Sequence, residues 1–386
     1  MPRVLQRVES VDLLRGIIMV IMAIDHTRDF FTYPGLNPTN LAMTTPALFF
    51  TRWITHFCAP TFFLLTGTGA YLSRKNKSTG ELSRFLVTRG AWLIFLELVV
   101  IRTTSYQLNF DYHVTILLIL WALGWSMIAL AGLVHLKPPV ILAIGLVLIF
   151  GHNALDSLTI ANPIWAILHV QSIIYNSGGR VVLVAYPLIP WIGVTAVGYY
   201  LGQVYDWEPE RRRPFLLRAG LTATIGFVAL RALNVYGDPS RWTTQNSPAM
   251  TMVSFFNTTK YPPSLLFLLM TLGPAIALLS LLDRGTPRVL RPAVTIGRVP
   301  LFYYALHFAV IHLAAVAVSW VKFGSPLPML SSPDLANYPF TAPKGWGFPL
   351  ATIYMVWALV VSSVYPACVW FADLKRRRRD WWLSYL

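Results

Sequence analysis

Apolar stretches long enough to cross a bilayer recur along this chain from end to end, and few sequence features leave a chain less choice of fold. A hydrocarbon core of ~30 Å asks for about 20 apolar residues in helical form. Such runs lie at 11–31, 47–73, 84–104, 113–134, 138–154, 181–204, 214–236, 263–283, 298–321 and 347–372. In lipid the backbone amides must find partners within the protein, so runs of this length are expected to be helices. The expected fold is an all-α integral membrane protein, one domain over 1–386. It is a polytopic bundle of about 10 transmembrane helices plus one short re-entrant or interfacial helix at 163–175. Composition agrees, since 12% of the residues are charged against roughly 25% in soluble domains.

Charge sets the orientation. Basic residues gather in the N-terminus, in 74–89, at Lys137, in 211–218 and 284–291, and in the tail Lys375 to Arg379. Ten crossings put all of these on one side, which the positive-inside rule makes cytoplasmic. Counting 163–175 as a further crossing would separate Arg211, Arg212 and Arg213 from Arg74, Lys75 and Lys77, so this piece is read as not crossing. Both termini are then expected in the cytoplasm of a cell whose inner (plasma) membrane holds the protein. The first span is expected to remain uncleaved, because no small-residue cleavage site follows it. The loops 32–46, 105–112, 155–180, 237–262 and 322–346 form the outer face and include a glycosylation pattern, Asn257-Thr-Thr259. A net charge of +15 would suggest nucleic acid in a soluble chain; here it belongs to membrane loops, and no nucleic acid partner is expected. Cys58 and Cys368 sit in apolar runs without metal-ligand spacing, so neither a disulfide nor a metal is expected.

Ionisable side chains inside such segments are costly and mark sites. The first span carries Asp12 and Arg15 at one end and Asp25, His26, Arg28 and Asp29 at the other. Residues three or four apart share a helix face, so His26 can meet Asp29, and Asp25 can meet Arg28 and Asp29. The same topology puts His113 and His152 at outer ends of spans, His169 in the outer short piece, His56 and His312 in the outer half, and His307 near the midplane. In the second span Pro60 clashes with the carbonyl of His56, opening the backbone beside a histidine, with Arg52 one turn earlier. Tyr186-Pro-Leu-Ile-Pro-Trp191 repeats the device. Glu97, in the middle of the third span, requires a proton or an Arg or His partner.

The run Arg7-x-x-Ser10-x-Asp12-x-x-Arg15-Gly16, leading straight into a membrane span, resembles the catalytic membrane region of the heparan-alpha-glucosaminide N-acetyltransferase family. Pro60-Thr-Phe-Phe-Leu-Leu-Thr-Gly67, Leu82-Ser-Arg-Phe-Leu-Val-Thr-Arg-Gly90 and Gly297-Arg-Val-Pro-Leu-Phe-Tyr-Tyr304 add to the likeness, so that it covers nearly the whole chain. The large luminal region of the lysosomal members has no counterpart here. The resemblance implies an acetyltransferase that takes acetyl from cytosolic acetyl-CoA and passes it to an amine or hydroxyl on the outer side, with a histidine at the reaction centre. A small-molecule or glycan acceptor and the lipid bilayer are then the expected partners, and assembly as a homodimer is left open.

Acyl transfer needs a base, donors for the oxyanion and a site that excludes water. His26 or His56 supplies the base, helped by Asp25 or Asp29, or the histidine carries the acetyl group covalently. Arg15, Arg84, Arg89 and Arg298 are available at the cytoplasmic ends for the CoA phosphates, and Arg28, Arg52, His307 and His312 for the acceptor. His26 lies roughly 16 Å along the helix from Arg15, a span the pantetheine arm could bridge. A secondary transporter with a proton path through Glu97 and His307 is the rival reading, although no inverted repeat is visible.

Overall fold

The computed structural model describes residues 8–378, 380 and 383. Arg3 and Arg7 of the basic N-terminus and Arg379 of the tail lie outside the described residues. Fourteen α-helices form the body among the described residues. They are α1 (Glu9–Phe31), α2 (Pro46–His56), α3 (Cys58–Ser73), α4 (Thr79–Phe95), α5 (Ile119–Leu133), α6 (Pro138–Gly151) and α7 (Pro163–Leu168), then α8 (Leu188–Leu201), α9 (Pro209–Leu233), α10 (Pro248–Phe256), α11 (Leu265–Leu282), α12 (Arg291–Arg298), α13 (Pro300–Phe323) and α14 (Leu350–Arg377). A π-helical segment, Leu96–Tyr106, continues α4.

Among the described residues, six helical segments are long and apolar enough to cross a membrane: Pro46–Ser73, Pro138–Leu155, Pro209–Leu233, Leu265–Leu282, Pro300–Phe323 and Leu350–Arg377. The fold is that of a helical membrane protein, but six is fewer than the ten spans read from the sequence. The reasons are local. Helix α1 is long enough but carries ionisable side chains at both ends. Helices α5 and α8 are short because the apolar runs that contain them begin as strands, β1 (Val114–Leu117) and β3 (Arg180–Val184). With β2 (Ser172–Ser177) they form a small sheet in the order β1-β3-β2, β1 parallel and β2 antiparallel to β3. The piece 163–175 is therefore not one interfacial helix but the six-residue α7 followed by the start of β2. β-branched residues at Val114, Thr115, Ile116, Val181, Val182 and Val184 favour extended backbone, and pairing gives each strand the ladder that a membrane-depth segment needs.

Helix α1 is the hub. It touches α2, α3, α11, α12, α13 and α14, and Leu13, Leu14, Met19, Ala23 and Phe30 on it are almost wholly buried. The approach to α12 is backbone on backbone: a Cβ on Gly16 would lie 1.7 Å from the carbonyl oxygen of Ala293, and one on Gly297 would lie 1.8 Å from that of Asp12. The Arg-Gly and Gly-Arg pairs of the two motifs are thus one interface. At its other end α1 is tied by 346–348, where the Trp346 indole donates to the Phe30 carbonyl (3.1 Å) and the Phe348 amide to the Phe31 carbonyl (3.0 Å). These bonds satisfy carbonyls that a helix end leaves open.

The second span breaks beside His56, where the proline demands it. Helix α2 ends at His56, Phe57 is a turn, and α3 starts at Cys58. Glu97 finds neither arginine nor histidine. Its carboxylate accepts the Leu120 amide at 2.7 Å, in the first turn of α5, where unpaired N–H groups and the helix dipole favour a negative charge.

Candidate active site

Three cavities lie in a row and share walls. At the basic face a cavity of about 540 Å³ has Arg15, Lys77, Arg89, Arg298 and Lys375 among its lining residues. Its remaining walls are largely apolar, with Met19, Met22, Phe62, Leu65, Ile119 and Leu123, and it reaches Tyr304. Met22, Ile119 and Tyr304 also line a central chamber of about 110 Å³, together with His26, Asp25, Asp29, Cys58 and Phe308. Asp29, Arg52, Lys260 and Tyr261 then pass from the chamber into a vestibule of about 1020 Å³ at the opposite face, walled by Asn37, His56, Asn257, Trp346 and other polar and aromatic groups.

His26 stands in the middle chamber, and its tautomer follows from its partners. Nδ1 of His307 lies 2.7 Å from the Tyr303 carbonyl oxygen, which only accepts, so His307 carries its proton on Nδ1. Nε2 of His307 is therefore an acceptor, and the His26 Nδ1 that lies 2.7 Å from it donates. This leaves the lone pair of neutral His26 on Nε2, and a neutral imidazole has one donor and one acceptor nitrogen. Phe308 stacks on the His26 ring at 3.8 Å between centroids, and Tyr304 meets it edge-on at 6.1 Å. Helix α13 brings Tyr303, Tyr304, His307 and Phe308 to one side of α1 by their spacing of three to four residues.

The partner of His26 is thus an imidazole and not a carboxylate. The sequence reading paired His26 with Asp25 or Asp29, but arginines take both. Arg28 donates to Asp25 at 2.8 Å and to Asp29 at 2.6 Å, and Arg52 donates to the other oxygen of Asp25. Arginine outcompetes a neutral imidazole here because it is always charged and offers several donors. The four groups form a part-buried network between the central chamber and the vestibule, in which Arg28 is buried and Asp25, Asp29 and Arg52 are partly open to the cavities.

The other expected site residues divide. His56 is buried, meets the Phe267 ring at a tilt (5.3 Å between centroids) and lines the vestibule with its Nδ1 unpartnered. Arg15, Arg89 and Arg298 meet at the basic cavity, where Arg15 donates to Asp12 (3.0 Å) and to the Gly297 carbonyl (3.2 Å). Arg84 does not join them, since it is exposed on α4 and lines none of the three cavities. His312 is also apart: its Nε2 donates to the Met329 carbonyl at 2.7 Å, and its Nδ1 lies 3.3 Å from that of Ser105, tying 327–330 to the π-helical segment. The Asn257 amide donates to the Thr39 carbonyl (2.8 Å) within the vestibule wall, which engages the nitrogen that glycosylation would need.

Lys77, Lys375, Lys260, Tyr261, Tyr186 and Tyr106 are not among the site residues expected from the sequence, yet all line these cavities. For Lys260 a signal existed: it is one of few basic residues in the loops of the Lys- and Arg-poor face. For the tyrosines none did, because interfacial tyrosine is ordinary in membrane helices.

Helical segments long enough to span a membrane, with an imidazole pair in the chamber between a basic and a polar cavity, define a helical membrane protein with a row of internal cavities. Residues 7–237 match the family described as heparan-alpha-glucosaminide N-acetyltransferase, catalytic. The match takes in more than half of the 386 residues, and the chain belongs to this acetyltransferase family. It contains α1 with His26 and α2 with His56, and it ends before α13, so the likeness at 297–304 falls outside it. No curated protein matches the chain.

Proposed function

We propose that the protein transfers an acetyl group from cytosolic acetyl-CoA, through the row of cavities, to a hydroxyl or amine of a small glycan or similar polar acceptor on the outer side. The observation that carries this reading is the position of His26 in the chamber that shares walls with both larger cavities. Ten crossings with both termini in the cytoplasm are part of the proposal, because they place the Arg15, Arg89 and Arg298 end where acetyl-CoA is made. Family membership supports acetyl transfer; the acetyl-CoA donor, the acceptor and the sidedness are part of the proposal.

Arg15, Lys77, Arg89, Arg298 and Lys375 suit the phosphates of the donor, since arginine pairs bidentately with phosphate. The apolar walls past Met19 and Leu65 suit the pantetheine arm, and Tyr304 and Met22 mark where the thioester meets the central chamber. Nε2 of His26 takes the proton of the acceptor O–H or N–H as its heteroatom bonds to the acetyl carbon. His307 and the Tyr303 carbonyl stabilise the imidazolium that forms, by accepting from the far side of the ring. Lys260 and Arg52 place positive charge where the carbonyl oxygen becomes an oxyanion. The C–S bond then breaks, the sulfur recovers the proton from His26, and free CoA and the acetylated acceptor are the products. Direct transfer and transfer through an acetyl-histidine both use the same nitrogen. The polar vestibule with Asn37, Asn257 and Trp346 suits a sugar, which presents hydroxyls to polar groups and a C–H face to an indole.

Calorimetry with acetyl-CoA on the purified full chain tests the donor end. Micromolar to millimolar binding that weakens with salt, and weakens further in Arg298→Ala, is expected. Absence of acetyl-CoA binding to the wild-type chain would overturn the proposal.

A further inference from the structure

A second cluster of imidazoles lies at the outer ends of α6 and α7, away from the three cavities. His152 and His169 are each 1% exposed, and Asp156 stands beside them at the surface. One donor atom from each of the three, a ring nitrogen of each histidine and a carboxylate oxygen, lies within 4.8 Å of the others. The His169 Nε2 and the Asp156 Oδ1 are already 3.1 Å apart. Neither nitrogen of His152 has a hydrogen-bond partner, and Nδ1 of His169 has none. A buried imidazole whose ring nitrogens have no partner keeps the full desolvation penalty of those groups, so the arrangement asks for something that His152 can bind.

We propose that His152, Asp156 and His169 form a divalent metal site, selective for Zn²⁺ or a similar borderline ion, against the expectation from cysteine spacing that no metal is bound. Two imidazoles and a carboxylate are a nitrogen and oxygen donor set that suits Zn²⁺, with water in the fourth position on the exposed Asp156 side. Tetrahedral ligands at about 2.0–2.1 Å from the ion stand about 3.4 Å from one another. The donor atoms, all within 4.8 Å of one another, need to close by no more than about 1.4 Å to reach that spacing. His152 opens the 3-10 turn His152–Leu155 that follows α6, and Asp156 caps it, so both ligands come from one short turn. The second carboxylate oxygen is already oriented: Asn153 Nδ2 donates to Asp156 Oδ2 at 2.8 Å, and Asn153 is itself anchored by accepting the Leu265 amide at 2.8 Å. Such outer partners fix a ligand carboxylate. The role is a structural clip that joins the end of α6 to the segment leading into β2, and Gln171, two residues past His169, lines the vestibule.

The test is independent of acetyl transfer. The full chain, purified without chelator, is expected to hold about one equivalent of zinc by elemental analysis, and replacement by Co²⁺ is expected to give the visible bands of a tetrahedral site. His152→Ala and Asp156→Asn are each expected to weaken Zn²⁺ binding at least about 10-fold, while His113→Ala, at an exposed histidine elsewhere on the same face, leaves it unchanged. Failure of a variant to fold leaves the cobalt spectrum of the wild-type chain as the deciding measurement. A wild-type chain with neither stoichiometric zinc nor cobalt bands overturns the site, as does undiminished zinc in both variants; the cluster is then a hydrogen-bonded His–Asp pair closed by water.

Discussion

Substituting His26 removes the nitrogen that the geometry leaves free to accept a proton. His26→Ala is expected to lower acetyl turnover by about 10²–10⁴-fold, the usual worth of a general base, while acetyl-CoA binding at the basic cavity persists. His307→Gln tests the relay behind it. Loss of one hydrogen bond to a group that becomes charged is worth about 1.5–3 kcal/mol, so kcat should fall about 10–100-fold with little change in KM. Steady-state kinetics of the two variants against wild type reads both values, and a His307→Gln enzyme of wild-type kcat would remove His307 from the account. His26 was legible in the sequence because an imidazole and two carboxylates within one turn of a membrane helix stand out. Its true partner was not legible: His307 lies 281 residues away, and spacing rules speak only of neighbours on one helix. The same limit hid the fate of Asp25 and Asp29, because local geometry offered them to both His26 and Arg28 and only the approach of Arg52 from α2 settled the pairing.

At the level of elements, the contact of α1 with α12 holds the basic cavity in shape. Gly297→Ala would push a methyl group to 1.8 Å from the Asp12 carbonyl oxygen, and overpacking of this kind typically costs about 1–3 kcal/mol. The variant is expected to melt several degrees lower and to bind acetyl-CoA more weakly. Gly132→Ala, where nothing lies within 4 Å of the added carbon, should be neutral or slightly stabilising; equal thermal stability of the two variants would contradict the packing argument. Glu97 separates acetyl transfer from a proton-coupled transporter. Its carboxylate is occupied by the Leu120 amide, so Glu97→Gln, which still accepts that bond, should keep near wild-type activity. Glu97→Ala should lose about 1–2 kcal/mol of stability. Loss of all function in Glu97→Gln, with folding intact by circular dichroism, would favour the transporter. The helical runs were legible from apolar length alone, and the break at His56 from Pro60. The sheet was not, because β1 and β3 are short apolar runs attached to helical ones, and periodicity cannot part a buried strand from a buried helix over four or five residues.

The whole molecule holds three adjoining cavities with His26 in the smallest, and the central proposal is that the acetyl group passes along them. Charge placement and cavity order bear on the same question from different sides: the basic cavity faces one end of α1 and the polar vestibule the other. That order was only half legible. A basic set of loops and a Lys- and Arg-poor set could be read from the sequence, whereas the joined cavities depend on how α1, α3, α5 and α13 pack, which no loop count reveals. The most direct measurement uses proteoliposomes with the basic face inward, acetyl-CoA sealed inside and a panel of amino and neutral sugars outside. The account predicts acetylated sugar in the outer medium with matching release of free CoA thiol inside, and at least ~100-fold loss of both in His26→Ala. It is contradicted by wild-type vesicles that release no CoA with any sugar, or by a His26→Ala protein that acetylates as fast as wild type.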